Sequence, residues 1–263
     1  MDPTDRIAQL LVRCGHPDAV LPPTALYNEG WMLRLVLDWA SQHPSALPDL
    51  PFDQGSEWYS EALLGSRFRP RRRGDTAGEG FTHADGVIGH FRLRPGGRGD
   101  IELLADARQL LVVEAKMASG LSAGTTRAPE FNQAARNVAC IAHLVSSAGI
   151  DPSTFRSLGF VLLAPAARIA EGAFAAAIDK AAICAAVKLR AEGFDAAAAE
   201  WSKTCFDPVV LRVSVTAVSW ESVLAQIASV DSAASARLQE FYAKCLLYNP
   251  LRPPSAIPID VAR

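Results

Sequence analysis

The chain has 263 residues and a mass of 28.1 kDa, is 49% hydrophobic and 21% charged, and carries a formal net charge of −2 with a pI of about 6.2. This is globular composition, in a chain long enough to bury a core without disulfides or a structural metal. It excludes a generally basic nucleic-acid coat and an acidic disordered tail, so any polyanion site must be a local patch.

The opening Met1-Asp2-Pro3-Thr4-Asp5 has neither a basic nor an apolar leader segment, and no apolar run approaches the roughly 18 residues of a membrane span. A cytoplasmic protein with no membrane attachment is expected. Cys14, Cys140, Cys184, Cys205 and Cys245 are widely spaced and include no Cys-x-x-Cys pair, which suits reduced thiols. Lysine is scarce, with only Lys116, Lys180, Lys188, Lys203 and Lys244 against a majority of arginines. The two side chains are not interchangeable where a compact ammonium is required, so the first lysine needs a reason.

In chain order, Met32, Leu35, Val36 and Trp39 recur at helical spacing between Asn28 and His43, predicting an amphipathic helix with Asn28 as its N-cap. After a Pro- and Asp-containing connection, EWYSEALLGSRF predicts a shorter helix with Trp58, Ala62 and Leu63 on its apolar side. A basic loop follows, in which Arg67, Arg69, Arg71, Arg72 and Arg73 crowd together before Gly74. Their repulsion is eased either by solvent or by an anion nearby.

From Phe81 the pattern changes. The runs FTHADGVIGHFRL, DIELLADARQ and LLVVEAKM, separated by Pro95-Gly96-Gly97 and Ala105-Asp106-Ala107, predict a three-strand meander. The third run opens with Leu110 to Val113, four apolar residues in a row, as expected of a strand covered on both faces. Pro129 suits the first turn of a helix whose stripe is Phe131, Ala135, Val138, Ala142 and Val145, ended by Gly149. SLGFVLLAP predicts a fourth strand. Beyond it come an alanine-rich helix from Ala166 to Gly193, a helical piece near Trp201, a strand PVVLRVSVTAV and a helix from Trp220. The prolines of NPLRPPSAIPI predict an extended C-terminal segment. With no repeat and no long linker, residues 1–263 read as one mixed α/β domain.

The chemistry concentrates at Glu114-Ala115-Lys116. Glu114 and Lys116 follow directly on the buried run and, two residues apart, share one face at the end of a central strand. Burying either alone would be costly. Asp100 opens the preceding predicted strand, and a meander would set its carboxylate beside that of Glu114. Adjacent carboxylates repel, a divalent cation removes the repulsion, and oxygen ligands suit Mg²⁺ or Mn²⁺. An ion pair between Glu114 and Lys116 on an edge strand is the simpler alternative.

Asp100, Glu114 and Lys116, in this order of elements, resemble the PD-(D/E)XK nuclease superfamily of restriction-endonuclease-like phosphodiesterases. An acid-x-Lys match is common by chance; this one uses the first lysine of a lysine-poor chain, ends an apolar strand and has an aspartate one predicted strand earlier. The resemblance implies a core of helix, three-strand meander, helix and strand over about residues 28–165, with added N-terminal helices and a helix and strand extension over about 166–263. It implies that Asp100, Glu114 and the Ala115 carbonyl hold Mg²⁺ or Mn²⁺, and that Lys116 orients the attacking water and steadies developing charge. Gln133, near the start of the following helix, would point at the site, with Asn137 one turn on. A glutamate of the first helix often joins the site in this superfamily; Glu29 matches that placement, and Glu61 is its rival.

The partner so implied is nucleic acid, DNA ahead of RNA. Arg67, Arg69, Arg71, Arg72, Arg73 and Arg127, with Arg92, Arg94 and Arg98 nearby, would contact phosphate. Ser119, Ser122, Thr125 and Thr126 could join them, or simply form a hydrogen-bonded turn. Cutting both strands would be natural for a homodimer or larger complex. Two departures stand out: Gly99 occupies the place of the motif's proline, and the loop from Lys116 to Gln133 is longer than a minimal core needs. His83-x-Asp85, with His90 nearby, is a weaker metal candidate of a kind that is usually structural. The chain has no phosphate loop, His-Glu-x-x-His, nucleophile elbow or dinucleotide fingerprint. The competing reading is a non-catalytic subunit of nuclease fold that binds nucleic acid or a protein, and a third is an unrelated α/β domain in which the motif is coincidental.

Overall fold

A computed structural model describes residues 2–124 and 128–250. Two helices open the chain, α1 (Pro3–Val12) and α2 (Glu29–Gln42), the second capped by Asn28, whose Oδ1 accepts from the Trp31 N–H at 2.9 Å. Strands β1 (Glu57–Leu64) and β2 (Thr82–Gly89) follow, then the short β3 (Phe91–Leu93) and β4 (Ile101–Leu103), then β5 (Gln109–Ala115). Helix α3 (Gln133–Ser147) crosses to β6 (Ser157–Ala164). The remainder comprises α4 (Ala166–Ala170), α5 (Lys180–Phe194), α6 (Ala196–Trp201), α7 (Asp207–Arg212), β7 (Ser214–Ser219), α8 (Trp220–Val230) and α9 (Ser232–Tyr248).

The sheet order is β1-β2-β5-β6-β7, antiparallel through β5 and parallel beyond it. All seven residues of β5 are buried. Alternation sends Leu110 and Val112 to the α3 side and Leu111, Val113 and Ala115 to the side covered by α2, α8 and α9. Glu114, in phase with Val112, therefore faces α3. Parallel pairing of β5 with β6 requires a crossover connection, and α3 supplies it. No helix among the described residues is long and apolar enough to cross a membrane.

The structure is α/β, with a mixed five-strand sheet, and it departs from the sequence expectations in several places. EWYSEALLGSRF is not a helix. Its first eight residues are β1, paired with β2 from Glu57↔Gly89 to Leu64↔Thr82, and the consecutive buried Ala62, Leu63 and Leu64 belong to a strand end rather than a helical stripe. Long-range pairing here overrides local pattern. The meander is consequently β1, β2 and β5, because β3 and β4 leave the sheet as a separate two-strand hairpin. Gly89 makes that exit possible: its φ is +157°, and a Cβ there would lie 2.3 Å from the Gln109 carbonyl oxygen. The run from Phe81 to Leu93 is thus two strands, broken at its glycine.

The alanine-rich stretch also divides, into α4 and α5 around Gly172 (φ +73°). The first half of PVVLRVSVTAV is α7, with Pro208 in its first turn, leaving only Ser214–Ser219 as strand. The helix from Trp220 is two, since the Asp231 side chain accepts from the Ala234 N–H at 2.9 Å and starts α9 afresh. The expected α2 and β6 lie where the pattern puts them, although Leu35 of the predicted α2 stripe is exposed. Helix α3 starts later than Pro129 suggests, at Gln133, because Asn132 caps it, so Phe131 is buried ahead of the helix while Ala135, Val138, Ala142 and Val145 are buried along it.

Candidate active site

The β2–β5 ladder ends at Gly86↔Val113, and one residue farther the two strands part. There the Asp85 carboxylate replaces a ladder acceptor: the Ala115 N–H donates to its Oδ2 at 2.8 Å. On the other side of β5 the Lys116 N–H donates to the Leu163 carbonyl at 2.8 Å, and the indole N–H of buried Trp220 donates to the Lys116 carbonyl at 3.0 Å. The strand end carrying Glu114 and Lys116 is therefore held from both neighbours and from α8.

Glu114 is fully buried. Its Oε1 accepts from Lys116 Nζ at 2.6 Å and from Gln133 Nε2 at 2.5 Å, while its Oε2 is buried with no hydrogen-bond partner among the described residues. Gln133 is fixed in turn, since its Oε1 accepts from the Ser122 N–H at 3.0 Å and its own N–H donates to the Ser122 carbonyl at 2.9 Å. Burial, and after it the neighbouring Asp85 carboxylate, pushes the Glu114 carboxyl well above the usual range against the pull of Lys116. Glu114 and Asp85 thus face each other closely enough that either a shared proton or a cation must relieve their repulsion.

That arrangement fits a small divalent cation. Mg²⁺ commonly uses one or two carboxylates and keeps several waters or phosphate oxygens, and no cluster of three or more His, Cys, Asp or Glu side chains stands ready to enclose a metal among the described residues. The N–H and C=O of one strand residue point the same way, so the Ala115 carbonyl faces the Asp85 side with its N–H. Asp85, Glu114 and the Ala115 carbonyl are the donors that such a cation would meet here.

Asp100, expected beside Glu114, is elsewhere. It bridges to Leu63 at the outer edge of β1, and its Oδ2 accepts from the Arg98 N–H at 3.1 Å in the hairpin turn. The cause is the exit of β3 and β4 from the sheet, which lets β2 pair directly with β5. In the sequence Asp85 stands out only as half of a His-x-Asp pair. Its better signal is the one that marks Glu114, a carboxylate interrupting a run that otherwise buries. The histidines do not join it: His83 is exposed, and the His90 ring accepts the backbone N–H groups of Arg108 and Gln109 through Nδ1, each at 3.2 Å.

Of the two rival glutamates, Glu29 opens α2 and lines a cleft of about 750 Å³ with Ala118, Ser119 and Arg168, beside the segment that follows Lys116. Glu61 lies on β1, opposite Asp85 between the pairs Ser60↔Gly86 and Ala62↔Ala84. It has φ +57° and pairs with Arg34 at 3.1 Å. A left-handed glutamate within a strand is strained, by about 1–3 kcal/mol, and it coincides with the point where the Asp85 side chain turns toward β5.

The arginine loop is largely occupied with the protein itself. Arg67 pairs with Asp195 at 3.4 Å; Arg71 pairs with Asp75 at 2.8 Å, donates to the Phe194 carbonyl at 3.1 Å and stacks over the Phe194 ring. Arg69, Arg72 and Arg73 are exposed. Thr125, Thr126 and Arg127 lie outside the described residues. Asn137 is fully buried, with neither side-chain polar atom paired among the described residues.

No protein-family model, curated protein or solved structure matches the chain.

Proposed function

We propose that the protein is a metal-dependent nuclease that hydrolyses phosphodiester bonds, with DNA as the favoured substrate. On this reading α2, the β1-β2-β5 meander, α3 and β6 correspond to the core of the PD-(D/E)XK superfamily, with Asp85 in the role that the sequence suggests for Asp100. The observation that carries the proposal is the unsatisfied Oε2 of buried Glu114, set beside Asp85 with Lys116 within hydrogen-bonding distance of the same carboxylate. A Glu114–Lys116 ion pair alone accounts for neither the second carboxylate nor its approach to Glu114 at the fork of the sheet.

The roles follow from position. Asp85, Glu114 and the Ala115 carbonyl hold Mg²⁺ or Mn²⁺, which when bound supplies Lewis-acid stabilisation of the phosphoryl oxygens. Lys116, partly exposed, presents its ammonium where a water and the developing negative charge of the phosphate would lie. Gln133 is a positioning residue that fixes the Glu114 rotamer, and Trp220 does the same for the Lys116 backbone.

The test is cleavage of circular duplex, linear duplex and single-stranded DNA, and of RNA, with Mg²⁺ or Mn²⁺, by wild type beside Lys116→Ala. Cleavage by wild type alone is expected. Equal traces in both proteins, or no cleavage by either, would overturn the enzymatic reading, and the second result would favour a non-catalytic subunit.

A further inference from the structure

A second concavity, of about 370 Å³, lies at the outer edge of the sheet between the end of β1, the β3–β4 hairpin and the C-terminal half of α3. Arg69, Arg92, Arg94 and His143 line it, together with Glu102 and the ring of Phe81. The cationic groups outweigh the negative charge around them. Arg92 and Arg94 share the single Glu102 carboxylate, at 3.1 Å and 2.9 Å. The other acid of the wall, Asp100, commits Oδ2 to the Arg98 backbone N–H. Arg69 lies 4.4 Å over the Phe81 ring and has no carboxylate within ion-pair distance among the described residues. Burial, and then Arg67 and Arg69, hold His143 below its ordinary pKa, so the ring is neutral where a further cation would be repelled.

We propose that this pocket is a phosphate-binding site, in which Arg69 and the hairpin arginines grip the oxygens and His143 closes the inner side. Guanidinium forks match phosphate geometry, and an anion here would relieve the repulsion among three arginines while allowing His143 to take up a proton from water. The cavity takes one phosphate and its attached group, not a helix or a folded partner. It lies on the α3 side of the sheet, as Glu114 does, but the ten residues from Gln133 to His143 carry it about 15 Å along the helix axis, so it is a site separate from the metal notch. The phosphate belongs to a nucleic acid, either at a strand terminus or within the backbone. That assignment of source rests on the nuclease reading; the anion site itself rests only on the pocket.

The experiment follows the Cε1–H resonance of His143 by NMR, assigned with His143→Gln, in full-length Lys116→Ala protein so that no substrate is cut. Inorganic phosphate should raise the His143 titration midpoint by about one unit, and Arg69→Ala, at an exposed position, should weaken phosphate binding roughly tenfold, with partial recovery in Arg69→Lys. Displacement of phosphate by a 5′-phosphorylated oligonucleotide but not its 5′-hydroxyl twin would assign the site to strand ends, and displacement by both would assign it to the backbone. An unmoved midpoint, or unchanged phosphate affinity in Arg69→Ala, would overturn the site. Phosphate binding that neither oligonucleotide displaces would overturn the nucleic-acid source. Because the readout is a histidine resonance, failure of the nuclease reading would appear separately, as wild type that never cleaves.

Discussion

The end of β5 and the arginine loop at residues 67–73 both announce themselves in the sequence as charge where charge is awkward, yet the fold resolves them in opposite ways. In the loop, Arg67 and Arg71 find Asp195 and Asp75, and the anchoring Arg190 finds Glu79 at 2.9 Å beneath the rings of Phe68 and Phe194. At the strand end, Asp85 and Glu114 are brought together instead of apart, and one carboxylate oxygen stays buried without a partner among the described residues. Charge density alone is therefore a poor guide to a site; burial together with an unmet bond is a better one.

The sharpest way to break this contrast is to remove the ammonium. Lys116→Ala should lower cleavage about 10²–10³-fold even at saturating Mn²⁺, and because Lys116 helps to keep Glu114 ionised it should also weaken Mn²⁺ affinity near neutral pH; cleavage kinetics at saturating metal and calorimetry read the two effects separately. The loop region should answer in stability. Arg190→Ala leaves Glu79 without its partner in a site where both side chains are almost fully buried, and urea denaturation should show a loss of about 3 kcal/mol with metal affinity of the folded protein unchanged. Undiminished cleavage in Lys116→Ala, or unchanged stability in Arg190→Ala, would reverse the assignment of roles.

The two regions should also respond to pH with opposite sign. Glu114 has a raised pKa, so its contribution to stability is complete below the ordinary carboxylate range and is lost as the pH rises through the raised value. Asp75 is lowered, first by its hydrogen bond from the Arg71 side chain, so its contribution is present above the ordinary range and is lost as the pH falls through the depressed value. Glu114→Gln should flatten the alkaline side of the urea-midpoint profile and Asp75→Asn the acid side. Since Glu114 must be ionised to hold a cation, Mn²⁺ affinity should climb with pH, by at most about tenfold per unit, until Glu114 is fully ionised. The smallest effect belongs to Arg72 and Arg73, which are exposed. Each replaced by alanine should reduce the salt slope of DNA binding by about 0.9 if it contacts a phosphate, and an unchanged slope would remove it from the interface.

The local part of this architecture is legible in the sequence. Asn28 as a cap, the apolar stripe of α3 and the buried run ahead of Glu114 are short-range patterns, and they are enough to put α2, α3 and β5 in place and to set Glu114, Lys116 and Gln133 on or beside them. The pairing of strands is not legible. Whether β4 or β2 lies against β5 depends on Gly89 letting the chain leave the sheet and on β1 pairing with β2, and both are decided by contacts distant in sequence. That single point moves the second carboxylate from Asp100 to Asp85. The strain at Glu61 is equally hidden, since no residue type announces a left-handed glutamate.

Mn²⁺ titration by calorimetry on wild type, Asp85→Asn and Asp100→Asn decides whether Asp85 and Glu114 jointly hold a metal. Wild type and Asp100→Asn should bind, and binding should be lost in Asp85→Asn. Binding that survives in Asp85→Asn, or is absent from wild type, would contradict that joint role.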